Sequence, residues 1–261
     1  MSMIFPLFQA ILISLVLAMV FAWLSIRFAM RVHLIDQPDS APHKKHTRPT
    51  PLAGGIAILL ALLGSEWALG QFWDRSIRTT YIAGAVVFLF GLWDDFTNIR
   101  PLMKLSGQVI AAAILIYSGI YIRIFESPEF FVQLDHTISL YLDWLLTVFW
   151  VVGITNAFNF VDSMDGLAIG LGAMAAAFFA LVTLESRQLA LSLHSALIVG
   201  SCIGLYFFNS PPAKLFIGDS GAQTLGFILA VLAIVYSPQG ANQSSSWFVP
   251  ILLLGVPIFD A

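Results

Sequence analysis

Charge is scarce in these 261 residues: 10% are Asp, Glu, Lys or Arg, against about 25% in a soluble domain. A chain that is 59% hydrophobic cannot hide so much apolar side chain in one core of this size, so a water-soluble fold is excluded. Cysteine is almost missing. The single Cys202 lies within an apolar run, which excludes a disulfide scaffold and reads as a small buried hydrophobe. An excess of one sign of charge is missing too, and a net charge of −3 gives no footprint for nucleic acid. No internal repeat or low-complexity stretch occurs. What remains is an all-α, polytopic integral membrane helix bundle. A spanning helix takes about 20 apolar residues, so this length holds about nine or ten spans and no soluble domain.

The first apolar run, Ile4 to Ile26, has no charge before it and no small-residue cleavage pattern after it, and reads as an uncleaved span. Eight more follow at about Leu52–Gly70, Tyr81–Trp93, Leu105–Tyr121, Ile138–Phe158, Leu167–Leu184, Leu189–Phe208, Gly221–Tyr236 and Trp247–Phe259. The third is short and is expected to begin earlier, near residues 75–80, or to leave its polar end in the interface. If the spans alternate, the connections 27–51, 94–104, 159–166 and 209–220 share one side. That side holds Arg27, Arg31, Lys44, Lys45, Arg48, Arg100, Lys104 and Lys214, against Arg75, Arg78, Arg123 and Arg187 on the other. Lys and Arg accumulate in cytoplasmic loops, so this side is expected to be cytoplasmic and the amino terminus outside.

Acids cost about 2.5–3.5 kcal/mol each at the centre of a spanning helix, so their placement is informative. Eight of the fifteen fall on the side read as cytoplasmic, and all are aspartates: Asp36, Asp39, Asp94, Asp95, Asp162, Asp165, Asp219 and Asp260. In Gly91-Leu-Trp-Asp-Asp-Phe-Thr two adjacent carboxylates end the third span; a divalent cation relieves their repulsion, and Mg²⁺ typically takes one or two carboxylates. Two solvated acids at a helix end are the plainer alternative. In Asn156-Ala-Phe-Asn-Phe-Val-Asp-Ser-Met-Asp-Gly, polar residues recur every third position, a stripe on a helix that could hydrogen-bond a sugar or base, or else glue helices together. In Asn209-Ser-Pro-Pro-Ala-Lys-Leu-Phe-Ile-Gly-Asp-Ser-Gly, glycines bracket Asp219 before a new helix, a metal or phosphate site or a plain re-entry turn. Finally His43-Lys-Lys-His-Thr-Arg-Pro-Thr-Pro-Leu-Ala-Gly-Gly is a basic loop that could hold phosphate or touch anionic lipid, and its Pro51–Gly55 end implies a fixed turn and close helix packing.

In this order the four motifs closely resemble the polyprenyl-phosphate N-acetylhexosamine-1-phosphate transferases of glycosyltransferase family 4. The basic loop with His46 and the Pro-Leu-Ala-Gly-Gly ending are similar to the WecA and TagO branch, with the MraY branch as the alternative. The resemblance implies that a phosphate oxygen of undecaprenyl phosphate attacks the sugar-bearing phosphorus of a UDP-N-acetylhexosamine, most simply UDP-GlcNAc, with UMP leaving. That would be the first membrane step of a cell-envelope polysaccharide, on the cytoplasmic face of the bacterial inner membrane. It implies Mg²⁺, or Mn²⁺ in its place, at Asp219 and Asp94, with Asp95 as a further catalytic acid. It implies nucleotide contacts from Asn159, Asp162, Asp165, Asn209 and Phe216, diphosphate or nucleotide contacts from Lys45 and Lys104, and substrate binding by His46. The partners expected are the two substrates and membrane lipid, with no nucleic acid; a homodimer is left open.

The family carries a further Arg- and His-rich cytoplasmic loop and one or two more helices after the ninth span. Residues 1–261 are therefore expected to be one transmembrane domain without its C-terminal part, inactive by itself. Two rivals remain: a lipid-binding relative without activity, and an ion-coupled transporter. The second is poorly matched, because Glu66 and Asp143, the main acids within spans, both lie near the outer interface.

Overall fold

The computed structural model describes residues 4–37, 49–70, 74–128, 132, 134–238 and 246–260. Its helices are α1 (Ile4–Arg31), α2 (Gly54–Ala68), α3 (Arg75–Thr97), α4 (Pro101–Tyr117), α5 (His136–Val161), α6 (Leu167–Glu185), α7 (Leu189–Asn209) and α8 (Gly218–Val235). Two six-residue pieces follow, α9 (Phe248–Leu253) and α10 (Gly255–Asp260). The only named strands among the described residues are β1 (Ile35–Asp36) and β2 (Thr50–Pro51), an antiparallel pair. Six helices are long and apolar enough to cross a membrane, and α2 and α4 are shorter apolar helices. In lipid every backbone group must be satisfied within the segment, and a helix does so.

The third apolar run does begin early, at Arg75, because the Asp74 side chain accepts from the amides of Ser76 and Ile77 and caps the helix. The same helix ends where Asn98 turns left-handed. The ninth run departs from expectation. It forms two six-residue helices with a break at Leu254, where Pro257 has no N–H to offer the carbonyl four residues back.

At the centre stands α8, in which every residue from Ser220 to Ala233 is buried, as a helix apolar on all sides requires. The α1–α7 pair is packed through small residues. Ala10, Ser14, Ala18 and Ala22 make a buried stripe on α1, and Gly200 and Gly204 of α7 lie on it so closely that a Cβ at Gly204 would stand 2.6 Å from the Leu15 carbonyl oxygen. Close backbone approach of this kind replaces the hydrophobic drive that lipid cannot supply. Large apolar side chains such as Phe8, Trp23, Phe149 and Phe178 point outward from the bundle, as lipid-facing residues do.

The two acids within spans are both held by the bundle. Asp143 of α5 accepts from the amides of Ile124 and Phe125 on one oxygen and of Glu126 on the other, which pins the α4–α5 connection. Glu66 of α2, fully buried, pairs with His194 of α7 and accepts from the Tyr81 hydroxyl. Both are staples between elements. Cys202 is buried and free.

Candidate active site

One end of the bundle holds a cavity of about 910 Å³, within the roughly 300–1,000 Å³ usual for small-molecule sites. Of the eight aspartates read as cytoplasmic, Asp36, Asp94, Asp95, Asp162, Asp165 and Asp219 all line it. Asp39 lies outside the described residues, as do Lys45 and His46.

Backbone pairing brings two of the sequence motifs together. The amides of Gly54 and Gly55 donate to the carbonyls of Phe216 and Ile217, and the Phe216 amide donates to the Pro51 carbonyl. The Pro51–Gly55 turn is thus a fixed turn bound to the stretch before Asp219. The approach is close enough to demand glycine, since a Cβ at Gly54 would stand 2.6 Å from the Ile217 Cα and one at Gly91 of α3 would stand 2.6 Å from the Ser220 Cα. Three helix ends therefore meet at the first turn of α8.

Asp95 locks that junction. Its oxygens accept from the amides of Asp219 and Ser220 at 2.8 and 3.1 Å, and from the Ser220 hydroxyl at 2.6 Å. The α8 amino terminus, which the sequence offers as an attractor for substrate anions, is filled by this carboxylate from α3. Its neighbour Asp94 is turned the other way. One oxygen accepts from the Ile99 amide at 2.8 Å and the other from Lys104 at 3.1 Å. Lys104 also donates to Asp219 at 2.7 Å, so its ammonium bridges two carboxylates of different helices. The Asp219 Oδ2 atom further accepts from Gln223 at 3.1 Å and Asn159 at 3.4 Å.

The third motif is not the helical stripe that its spacing implies. Helix α5 stops at Val161, so only Asn156 and Asn159 are helical, while Asp162 is its C-cap and Asp165 lies in the turn before α6. Gly166, with φ of +79°, makes that turn. Asn156 faces the bundle and bonds Gln108. Asp165 accepts from the Ala213 amide at 3.1 Å. Asn209 is almost wholly buried; its oxygen accepts from the Gly166 amide and its nitrogen donates to the Leu215 carbonyl, so it holds two loops together. Phe216 is half-buried in the cavity wall.

Sequence reasoning missed Gln108 and Gln223, both buried beneath Asp219. The signal was present, since an amide in the middle of an apolar run is costly unless it is paired.

Burial, and then the negative charges of Asp219, Asp95 and Asp165, push the Asp162 carboxyl up from 3.8 to about 8. The folded protein thus keeps a proton that the unfolded chain loses near pH 4, and this group weakens the fold progressively as pH climbs between those values. Asp162→Asn should therefore melt at a higher temperature than the parent at alkaline pH, the gap closing towards pH 4. A gap that is constant with pH, or that opens in acid, would show the carboxyl already ionised at neutrality. Thermal denaturation in detergent across that range decides it.

The residues present fit a magnesium ion. Asp94 and Asp219 converge on one cationic point, now the Lys104 ammonium, from opposite helices. Among the described residues no group of three His, Cys, Asp or Glu side chains converges as a ligand set. Mg²⁺ does not need one, because it usually keeps waters and substrate phosphates beside one or two carboxylates.

Comparison with known proteins gives this geometry its context. The chain is 29% identical over 257 residues, 96% of it and 68% of the relative, to the probable undecaprenyl-phosphate N-acetylglucosaminyl 1-phosphate transferase of Bacillus subtilis (strain 168). It is 34% identical over 239 residues, 82% of it and 59% of the relative, to the decaprenyl-phosphate N-acetylglucosaminephosphotransferase of Mycobacterium leprae (strain TN). It is 30% identical over 238 residues, 85% of it and 73% of the relative, to the phospho-N-acetylmuramoyl-pentapeptide-transferase of Lactobacillus johnsonii. The chain therefore spans between 59% and 73% of the length of these relatives. A family model described as Glycosyl transferase family 4 matches residues 77–237, a stretch that runs from the first turn of α3 past the end of α8, and this multi-pass membrane chain belongs to that family.

Proposed function

We propose that the protein transfers an N-acetylhexosamine 1-phosphate, GlcNAc 1-phosphate in the first place, from its UDP-sugar to undecaprenyl phosphate. An oxygen of the lipid phosphate forms a bond to the sugar-bearing phosphorus, the bond from that phosphorus to the bridging oxygen breaks, and UMP leaves with that oxygen. The product is undecaprenyl-diphospho-sugar, the start of a cell-envelope polysaccharide. The observation that carries this reading is the cavity itself, which six aspartates line at one end of a membrane bundle, two of them, Asp94 and Asp219, bridged by Lys104. Soluble nucleotide sugar and membrane-held lipid phosphate meet only at such a boundary.

Asp219 and Asp94 would hold Mg²⁺, which when bound would neutralise the diphosphate and the departing UMP. Lys104 supplies a positive charge at the same point and, displaced from its carboxylates, can follow the phosphates. Phe216 offers a face for the uracil, and the Asp162–Asp165 turn with Asn159 offers hydrogen bonds to the nucleoside. Asp95 holds the first turn of α8, and Asn209 the loop before it. Lys45 and His46, which lie outside the described residues, are assigned to substrate binding by the basic sequence of their loop alone. No base is needed, because the second pKa of a phosphate is about 6 and the nucleophile is already ionised at neutral pH.

The relatives named for GlcNAc donors, and the basic loop before Pro51, favour UDP-GlcNAc; the relative named for a muramoyl pentapeptide supports the other donor. The excess of Lys and Arg in the connections that the sequence assigns to one side supports a cavity on the cytoplasmic face of the inner membrane, with the amino terminus outside. The test uses the full-length protein in bacterial membrane vesicles of known orientation, with undecaprenyl phosphate and Mg²⁺. Inside-out vesicles should release UMP from added UDP-GlcNAc and sealed right-side-out vesicles should not. No release from either orientation would sink the activity, release only from right-side-out vesicles the orientation, and turnover of UDP-MurNAc-pentapeptide alone the donor.

A further inference from the structure

Beneath the cavity a chain of buried side-chain amides crosses three helices. Gln223 of α8, 1% exposed, donates its Nε2 to Asp219 at 3.1 Å and accepts on its Oε1 from Gln108 of α4 at 3.0 Å. Gln108, fully buried, then exchanges two hydrogen bonds with Asn156 of α5, giving at 3.2 Å and receiving at 2.7 Å. Asn156 also donates to the Val152 carbonyl at 2.8 Å, which anchors the far end to backbone.

An amide can be turned either way, but here its direction is determined from both ends. An ionised carboxylate only accepts, so Gln223 must present nitrogen to Asp219 and oxygen to Gln108. Gln108 must then present nitrogen to Gln223, and Asn156, tied to a carbonyl, must give Gln108 its own nitrogen. Each bond orients the next. Polar residues that merely join helices need only pair with one another. This chain ends instead on the oxygen of Asp219 that Lys104 also holds.

We infer that Gln223, backed by Gln108 and Asn156, is a positioning residue for Asp219. The relay fixes Oδ2 towards α4 and so determines how the carboxylate meets a metal-bound diphosphate. The inference rests on the transferase reading of the site. Partners that orient a metal-binding group typically matter by about 10- to 100-fold in affinity or activity.

Two variants of the full-length protein test it. Gln223→Met keeps the size and removes the donor. Gln108→Glu is isosteric and, when ionised, leaves Gln223 nothing to accept from, so that Gln223 turns its oxygen to Asp219; Gln108 itself neither lines the cavity nor touches Asp219. Each should lower kcat about 10- to 100-fold with KM for the nucleotide sugar unchanged, and each should weaken Mn²⁺ binding, read by electron paramagnetic resonance without substrate. The double variant should be no slower than the worse single one, because both act through the same oxygen. A purely structural network would lower the melting temperature, leave Mn²⁺ affinity intact and give additive losses. Parental kcat and Mn²⁺ affinity in the folded Gln223→Met variant overturn the relay. If the parent itself releases no UMP, the transferase reading fails first, and the Mn²⁺ comparison still decides whether the amides position Asp219.

Discussion

Asp219→Asn should reduce UMP release by about 10²–10³-fold, the range found when a single preorganised electrostatic contact is removed from a reaction centre. The size follows from what the carboxylate does in this fold. Its Oδ2 accepts from Lys104, Gln223 and Asn159, donors from α4, α8 and α5. An asparagine keeps one oxygen for them and loses the charge that balances Lys104. If its nitrogen turns to that side it meets three donors and offers a cation no lone pair; if its oxygen does, it offers only a neutral ligand. Either way the metal-binding pair is reduced to Asp94. The half-saturating Mg²⁺ concentration should rise along with the loss in turnover, while the melting temperature changes little, because Asp219 is half-exposed. Near-normal turnover at ordinary Mg²⁺ would show that the cation is held elsewhere.

The acids of the site were legible because they are expensive. In a chain so poor in charge, the six aspartates that line the cavity stand out once the spans are drawn, and the spans follow from apolar runs that must close their own hydrogen bonds. What was not legible is how the work divides among neighbours. Asp94 and Asp95 are adjacent in sequence, yet one reaches the Lys104 bridge and the other caps α8. That difference is set by which helix packs against each side, not by residue type. The three-residue spacing from Asn156 to Asp165 was misleading for a related reason, since the helix ends at Val161 and a period holds only while the helix lasts. Gln108 and Gln223 carry no charge; Gln223 lies one turn after Asp219 on α8, but Gln108 joins them only because the fold brings α4 beside it. The ninth run read as a span by hydropathy, which is blind to the missing amide of Pro257.

Close glycine contacts place Asp219 as firmly as its hydrogen bonds do, and the second large effect is expected at Gly55. A Cβ there would stand 2.6 Å from the Gly221 backbone nitrogen and run into the Ser220 hydroxyl, which itself donates to Asp95. Backbone cannot swing aside as a flexible side chain can, so Gly55→Ala must separate α2 from the first turn of α8. That strains the pairing of Gly54 and Gly55 with Phe216 and Ile217 and carries Asp219 away from Lys104. Overpacking of this kind costs about 1–3 kcal/mol in stability, which a bundle this size survives, but a displacement of about 1 Å at a reacting centre can cost about a hundredfold in rate. Gly55→Ala should thus fold and still lose about that much turnover. Gly64→Ala, on the same helix, is the control: its Cβ would meet Phe21 and Leu17 side chains at 3.6 and 3.7 Å, ordinary contacts, and it should work as the parent does. Equal activities for the two variants would mean that the α2–α8 junction gives way without moving Asp219, and that the glycines of the Pro51–Gly55 turn serve packing alone.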